Sequence, residues 1–418
     1  FRVPVNVVGS DSTNLKNCIL TFYNGASGSN ISSLKIANTL DYHYGIFLNG
    51  ANNCVITGCD IYNKGTSSYA ICVANTANYN NVTNNRLATW GIREGYTTWS
   101  TPPLVVSGAH YNYIANNNIS CGDVNGIYLS SFAGGPLKGG NSNFNMIYNN
   151  TITYNVLPTS WAYGIQLMGF NNTAKFNKVI GAYLGISGGV NSTIIDNIII
   201  NVTGADYNNV GAEVGGQNAI SVAANSLVRN NTIINAKIMT TGSGISVSDN
   251  CVVENNNIDV RLNGIGISVA GNNMIIRNNN ISTEGGAVIS NYNGGIALVT
   301  GVTVTGNNIV SQNGVGVLLK KLSSKKRPKN IIVKSNTINT TNALSIDCVD
   351  VDATSDWEIN YNTILNKNSR ISTPEGVYDA SAHFYEFKGK TYNITPENYD
   401  NYIVNGIFDS QIEDGDIL

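Results

Sequence analysis

Two carboxylates, Glu94 and Asp123, fall in a part of the chain crowded with aromatic side chains. Around them stand Tyr42, His43 and Tyr44, then Tyr69, then Trp90, Tyr96 and Trp99, then Tyr154, Trp161 and Tyr163, with Tyr183 and Tyr207 beyond. Paired carboxylates at a fixed separation are what glycoside hydrolysis requires, and uronate elimination needs a base with cations nearby. Aromatic rings flanked by Asn and carboxylates also suit the apolar faces and hydroxyls of a bound saccharide, or the anchors of a protein partner. The same rings could instead pack on one another to hold long loops in place. Glu94 and Asp123 have Arg93 adjacent and His43 further along.

A second group lies towards the C-terminal end. A basic run from Lys320 to Lys329 is followed about one repeat later by Asp347, Asp350, Asp352 and Asp356. Mutual charge compensation is one reading. The other is a Ca²⁺ site, because Asp350 and Asp352 alternate onto one strand face and Asp347 or Asp356 could complete oxygen coordination. The spacing is not that of an EF-hand loop, so no cofactor is expected apart from this candidate Ca²⁺. The seven Cys form no metal-like cluster and read as buried thiols.

The elements that must position these residues are set by a six-residue phrase, apolar-x-x-Asn-x-apolar. It places Asn85, Asn117, Asn150, Asn177, Asn197, Asn231, Asn256, Asn279, Asn307, Asn336 and Asn362 at one equivalent position. Each phrase is followed by a short apolar strand opened by small residues, as in Gly126-Ile127-Tyr128-Leu129 and Gly164-Ile165-Gln166-Leu167. Two short strands cannot bury their own apolar face and must stack on neighbouring units. Asn tolerates a left-handed turn, and its amide both donates and accepts along a stack. The fold class is therefore all-β: a single-stranded, right-handed parallel β-helix with an Asn ladder and outward loops. Extending the register backwards puts Cys18, Leu34 and Cys59 at the ladder position. Ladder spacings run from 20 residues (Asn177 to Asn197) to 34 (Asn197 to Asn231), and the excess must bulge outward as loops.

The aromatic loops lie between the ladder phrase and the next strand, along one edge. With coils about 4.8 Å apart, the Trp90/Trp99 and Trp161 loops should face each other across roughly 10 Å with Asp123 at the floor. One long domain is expected, with N-terminal edge coils over 1–40, ladder coils over 41–369 and a C-terminal cap or junction over 370–418.

Charged residues make up 12% of the chain and the net charge is −2, which gives no field for nucleic acid. No apolar run is long enough to insert in a membrane. Eleven Asn-x-Ser/Thr sequons, among them Asn81, Asn149, Asn171 and Asn230, permit a secreted glycoprotein. Several stand beside the ladder, where a glycan is not expected to fit. The opening Phe1-Arg2-Val3-Pro4, without Met or a signal pattern, fits a segment of a longer protein.

From about residue 370 the ladder stops. The segment Tyr392-Asn393-Ile394-Thr395-Pro396-Glu397-Asn398-Tyr399-Asp400-Asn401-Tyr402, running into Asp414-Gly415-Asp416-Ile417-Leu418, resembles junctions in adhesin-like surface proteins of methanogenic archaea. The opening Val3-Pro4-Val5-Asn6-Val7 is similar to a phrase that starts a β-helix in that family. The resemblance covers essentially the whole chain and implies one module of a large protein displayed outside the cell. It implies neighbouring modules of the same protein, and contact with a glycan or protein on other cells or surfaces. It supplies no catalytic residues. The phrases typical of polygalacturonases, Asn-Thr-Asp, Asp-Asp, Gly-His-Gly and Arg-Ile-Lys, are missing. The main expectation is thus a binding module using the aromatic edge. A polysaccharide-degrading lyase or hydrolase using Glu94 and Asp123 is the first alternative, and a structural stalk or filament subunit the second.

Overall fold

The structure is a computed structural model. It describes residues 1–366 apart from 11–13, 42, 66–67, 90–101, 132, 135–136, 159–161, 205–212, 214, 291–299, 321–329, 348–356 and 361; beyond 366 it describes the backbone of short strands. Contacts divide the chain into two compact units, Phe1–Ser226 and Leu227–Leu418. Each is a parallel β-helix.

One coil of the first unit shows the plan. A first strand, Asn81–Thr83, turns at Asn84-Asn85 into a second, Arg86–Thr89; a loop then leads to a third, Leu104–Ser107. The next coil repeats this with Tyr113–Ala115, Asn118–Cys121 and Ile127–Ser130. Like strands pair in parallel and in register, as Val82 with Ile114, Leu87 with Ile119 and Val106 with Leu129. The inward residues of all three strands, among them Val82, Leu87, Leu104 and Val106, are fully buried. Period-two alternation thus places one apolar stripe per strand inside the coil.

The Asn ladder is continuous within each unit. The backbone N and Nδ2 of Asn117 both donate to Asn150 Oδ1, at 3.0 and 2.9 Å, while Asn117 Nδ2 also reaches Val82 O at 2.9 Å. Asn85, Asn150 and Asn177 donate in the same way to Asn117, Asn177 and Asn197. In the second unit the chain of amides runs from Asn231 through Asn256, Asn279, Asn307 and Asn336 to Asn362. The left-handed residue is not the ladder Asn but the one before it: Asn84, Asn116, Asn149, Asn230 and Asn255 have φ of 49–57°. The ladder Asn is there for its amide alone.

Two further expectations are corrected. Leu15–Lys16 pairs with Lys35–Asn38, a second strand, and Leu20–Tyr23 pairs with Ile46–Asn49, a third. Cys18 therefore sits between second and third strands, where its N–H donates to Asn38 Oδ1 at 3.0 Å, and is not a ladder residue. Leu34 and Cys59 do hold ladder positions; Cys59 N donates to Asn85 Oδ1. The sequon residues beside the ladder, such as Asn149 and Asn230, are exposed because their left-handed backbone turns them outward. The described cysteines are free thiols.

The small residues that open the third strands have a steric cause. Gly126, Gly164 and Gly185 stack coil on coil, and a Cβ on Gly126 would lie 2.6 Å from Gly164 O and 2.7 Å from Ile152 Cγ2. Before residue 40, Asn6–Val8 is already in register with Asn30–Ser32. Arg370–Thr373 still pairs in parallel with Asn342–Asp347, and parallel stacking then gives way: Asn362–Ile364 pairs antiparallel with Asn401–Val404, and Arg370–Thr373 with Gly376–Asp379. Among the described residues no helix is long and apolar enough to cross a membrane.

Candidate functional site

The outward row of the third strands in the first unit runs Phe47, Cys72, Val105, Tyr128, Gln166, Ser187 and Ser221, one residue per coil. Its first half is covered. Tyr44 and Tyr69 stack on each other at 5.2 Å and pack with Phe47, Cys72 and Val105; Leu137 closes the cluster from above. Leu137 arrives on a short antiparallel hairpin, Ala133–Gly134 with Leu137–Lys138, which folds back over earlier coils so that Lys138 N donates to Asn75 Oδ1 at 2.8 Å. Tyr44 and Tyr69 are thus 9% and 8% exposed, which corrects their reading as open platforms.

The second half of the row is partly exposed rather than sealed. Tyr128 packs against the edge of the covered cluster, with its hydroxyl 3.6 Å from Sδ of the exposed Met168. Asn125 Nδ2 donates to Gln166 Oε1 at 3.0 Å, and Asn125 Oδ1 accepts from Tyr163 N at 2.9 Å. Partial burial, and then the neighbouring Tyr128 phenol, raise the pKa of Tyr163. The site therefore offers two phenols, two amides and a thioether on a rigid sheet.

The loops rooted here carry the remaining residues singled out above. Second strands Arg86–Thr89, Asn118–Cys121 and Thr151–Tyr154 stack in order, so the roots of the loops holding Trp90, Tyr96 and Trp99, then Asp123, then Trp161 lie one coil apart. Trp90, Glu94, Tyr96, Trp99 and Trp161 themselves lie outside the described residues, as do Tyr42, Tyr207, Asp350, Asp352 and Asp356. The backbone of Lys320 pairs in register with that of Asp347; the basic run after Lys320 and the acidic residues after Asp347 lie outside the described residues. Asp123 is 5% exposed, which places it beneath its loop rather than open to a cleft. His43 is half-buried, its Nδ1 2.8 Å from Asp41 O. Among the described residues no group of three or more His, Cys, Asp or Glu is placed to hold a metal.

Tyr154 braces the floor. It is buried, and its hydroxyl lies 2.9 Å from Val124 O and 2.7 Å from Tyr163 O. Desolvation, then Cys121 and Asp123, push its pKa well above the usual value. Desolvation does the same for Tyr69, and takes Tyr44 up to about 12. A phenol whose folded pKa exceeds the unfolded value of about 10 contributes stability that is complete below pH 10 and lost as pH rises through the folded pKa. Alkaline titration followed at the phenolate absorbance should therefore show a late group of tyrosines that ionise only with unfolding, above about pH 11. Replacing Tyr44, Tyr69 and Tyr154 by Phe should remove that group, and its persistence would contradict the assignment.

A second feature escaped the sequence reading. Asn80, Asn112, Asn145 and Asn172 form another buried amide ladder at the turn into the first strands, with N–Oδ1 distances of 2.9 Å. The residues just before them are Tyr79, Tyr111, Phe144 and Asn171, with φ of 57–60°. Tyr79 stacks on Tyr111 and Tyr111 on Phe144, each at 5.0 Å and within 7° of parallel. Their exposures of 56, 47 and 42% place them among the exposed rings of this unit. The signal was legible: every member of this ladder precedes a member of the first by five residues.

No family model matches the sequence, and no curated protein does. Among solved structures the chain is similar to a double mutant of the periplasmic alginate epimerase AlgG, with 12% identity over 83% of this chain and 82% of that one, at a TM-score of 0.44. It is similar to the tailspike protein of E. coli bacteriophage HK620 in complex with a pentasaccharide, with 12% identity over 97% and 78% and a TM-score of 0.45. The A-module of the Azotobacter vinelandii mannuronan C-5 epimerase AlgE6 gives 13% identity over 81% and 87%, with a TM-score of 0.42. None of these assigns a role to a residue of this chain.

Proposed function

We propose that the chain is an extracellular, adhesin-like module that binds a glycan on the outward face of the third strands of its first unit. One observation carries the reading. The outward row passes from a sealed apolar cluster to a partly exposed phenol and amide pair at Tyr128 and Gln166, where the tryptophan-bearing loops are rooted. Rings supply stacking surface for the C–H faces of a sugar, and the amides supply paired donors and acceptors for its hydroxyls. The face is built on strands, so its groups are held in place before a ligand arrives, which reduces the ordering cost of binding. The resemblance to adhesin-like surface proteins supports the extracellular setting and neighbouring modules.

The test is a polysaccharide and glycan-array screen of the wild type beside Tyr128→Ala, Gln166→Ala and Trp161→Ala, with product assays on every hit. Each variant should weaken binding by at least about tenfold, the equivalent of 1.4 kcal/mol per lost contact. Binding unchanged in all three would refute the site. Product release abolished by Glu94→Gln or Asp123→Asn would replace a binding module with an enzyme.

A further inference from the structure

The stacked rings at Tyr79, Tyr111 and Phe144 occupy a backbone region that suits Asn. The same turn position holds Asn53, Asn171 and Asn191 in other coils of the unit, all with φ of 55–57°. A bulky ring there is strained, and such strain persists where something else is gained. What is gained is not burial, because all three rings are exposed. Nor is it a platform for a sugar ring, since the rings cover one another's faces and turn their edges outward.

From the same coils a second row crosses the first-strand face. Tyr113 lies 6.1 Å from Tyr148, and Tyr148 lies 5.5 Å from Phe176. Met146 pairs in register with Tyr113. Phe170 continues the first row edge-on to Phe144 at 5.9 Å. Tyr113, Phe170 and Phe176 are 37–43% exposed. With about 200 Å² per aromatic side chain, the exposed parts of six rings come to about 500 Å². A single patch of that size is at the upper end for a monomer and marks an interaction surface.

Charge narrows the partner. The outward positions of the first strands from Asn81 to Ile195, together with the turn residue after each, carry one cation and one anion, Lys175 and Asp196, and these pair with each other at 3.8 Å. Lys175 Nζ also sits 4.7 Å from the Phe176 ring centroid. A neutral apolar patch has nothing to repel its own copy. Its area approaches the roughly 800 Å² per partner of a standard interface once flanking Asn and Thr are added. We propose that this face joins two copies of the chain, ring row against ring row about a two-fold axis. The pairing leaves the third-strand face of each copy free.

Sedimentation equilibrium of the full, unglycosylated chain tests this, because the sequon residues Asn81, Asn149 and Asn171 border the patch. The wild type should form a dimer. Tyr111→Asn and Phe144→Asn should raise the dimer Kd at least about tenfold, in line with loss of a central aromatic anchor. Their melting temperatures, measured at monomeric concentration, should equal or exceed the wild type's, since each restores the residue the turn prefers. Tyr148→Lys, on a strand, should abolish the dimer by placing like charges together. A wild type that sediments as a monomer at high micromolar concentration would overturn the proposal, as would a dimer indifferent to all three substitutions. Lower melting temperatures for both Asn variants, with dimerisation intact, would make the stack a structural brace instead.

Discussion

Asn150→Ala is expected to lower the unfolding midpoint of the first unit by about 10 °C, from a loss of about 4 kcal/mol at 2–4 °C per kcal/mol. Asn150 Oδ1 accepts from Asn117 N and Nδ2 at 3.0 and 2.9 Å. Its Nδ2 donates to Ile114 O at 2.9 Å and to Asn177 Oδ1 at 3.0 Å. All of these groups are buried, and Ala leaves the N–H and one Nδ2 proton of Asn117 without their acceptor and takes from the Ile114 carbonyl its second donor. Each stranded group costs about 1–3 kcal/mol. Asn149→Ala supplies the contrast. Its exposed side chain donates only to Asn116 Oδ1, at 2.7 Å, so the cost should stay near the ~1 kcal/mol of a left-handed Ala. Scanning calorimetry distinguishes the two. Equal losses would mean that the ladder amide does not hold the coils.

Gly185→Val is expected to be worse, with little folded first unit recovered. A Cβ on Gly185 would lie 2.2 Å from Ala219 O, a backbone atom of the next coil, and 3.0 Å from Ile199 Cγ2. The two coils must part, and parting breaks the parallel register of Ile186 with Ile220 and Ser187 with Ser221. Overpacking of this kind costs about 1–3 kcal/mol even where side chains can yield, and a carbonyl in a sheet cannot. Ala219→Gly, at the same position one coil on, should cost under about 1 kcal/mol. Soluble yield and far-ultraviolet circular dichroism read both; a fully folded Gly185→Val would show that coil spacing is looser than the packing indicates.

These two positions mark what was readable in the sequence. The ladder stands out because one buried polar residue type recurs between two apolar ones, and few structures other than stacked turns can satisfy that. The small-residue openings were visible as a pattern, but their cause, the close approach of the next coil, is not a local property. Cys18 misled because Leu15-x-x-Cys18-x-Leu20 copies the phrase while its strands pair as second and third. Tyr44 and Tyr69 misled for a related reason. Whether an outward ring is open depends on what covers it, and Leu137 comes from a hairpin whose neighbour, Lys138, bonds a residue 63 positions earlier. The stacked Tyr79, Tyr111 and Phe144 were in plain sight beside the second ladder. They went unread because a turn position held by Asn elsewhere gives no hint of a ring.

The glycan claim is tested most directly by hydroxyl-radical footprinting of the wild type with and without its best-binding glycan, read residue by residue. Binding on the third-strand face predicts protection of Tyr128, Tyr163 and the exposed Met168, with Tyr79 and Tyr111 unchanged. Protection of Tyr79 and Tyr111, with Met168 oxidised as fast as before, would place the ligand on the other face and contradict the account.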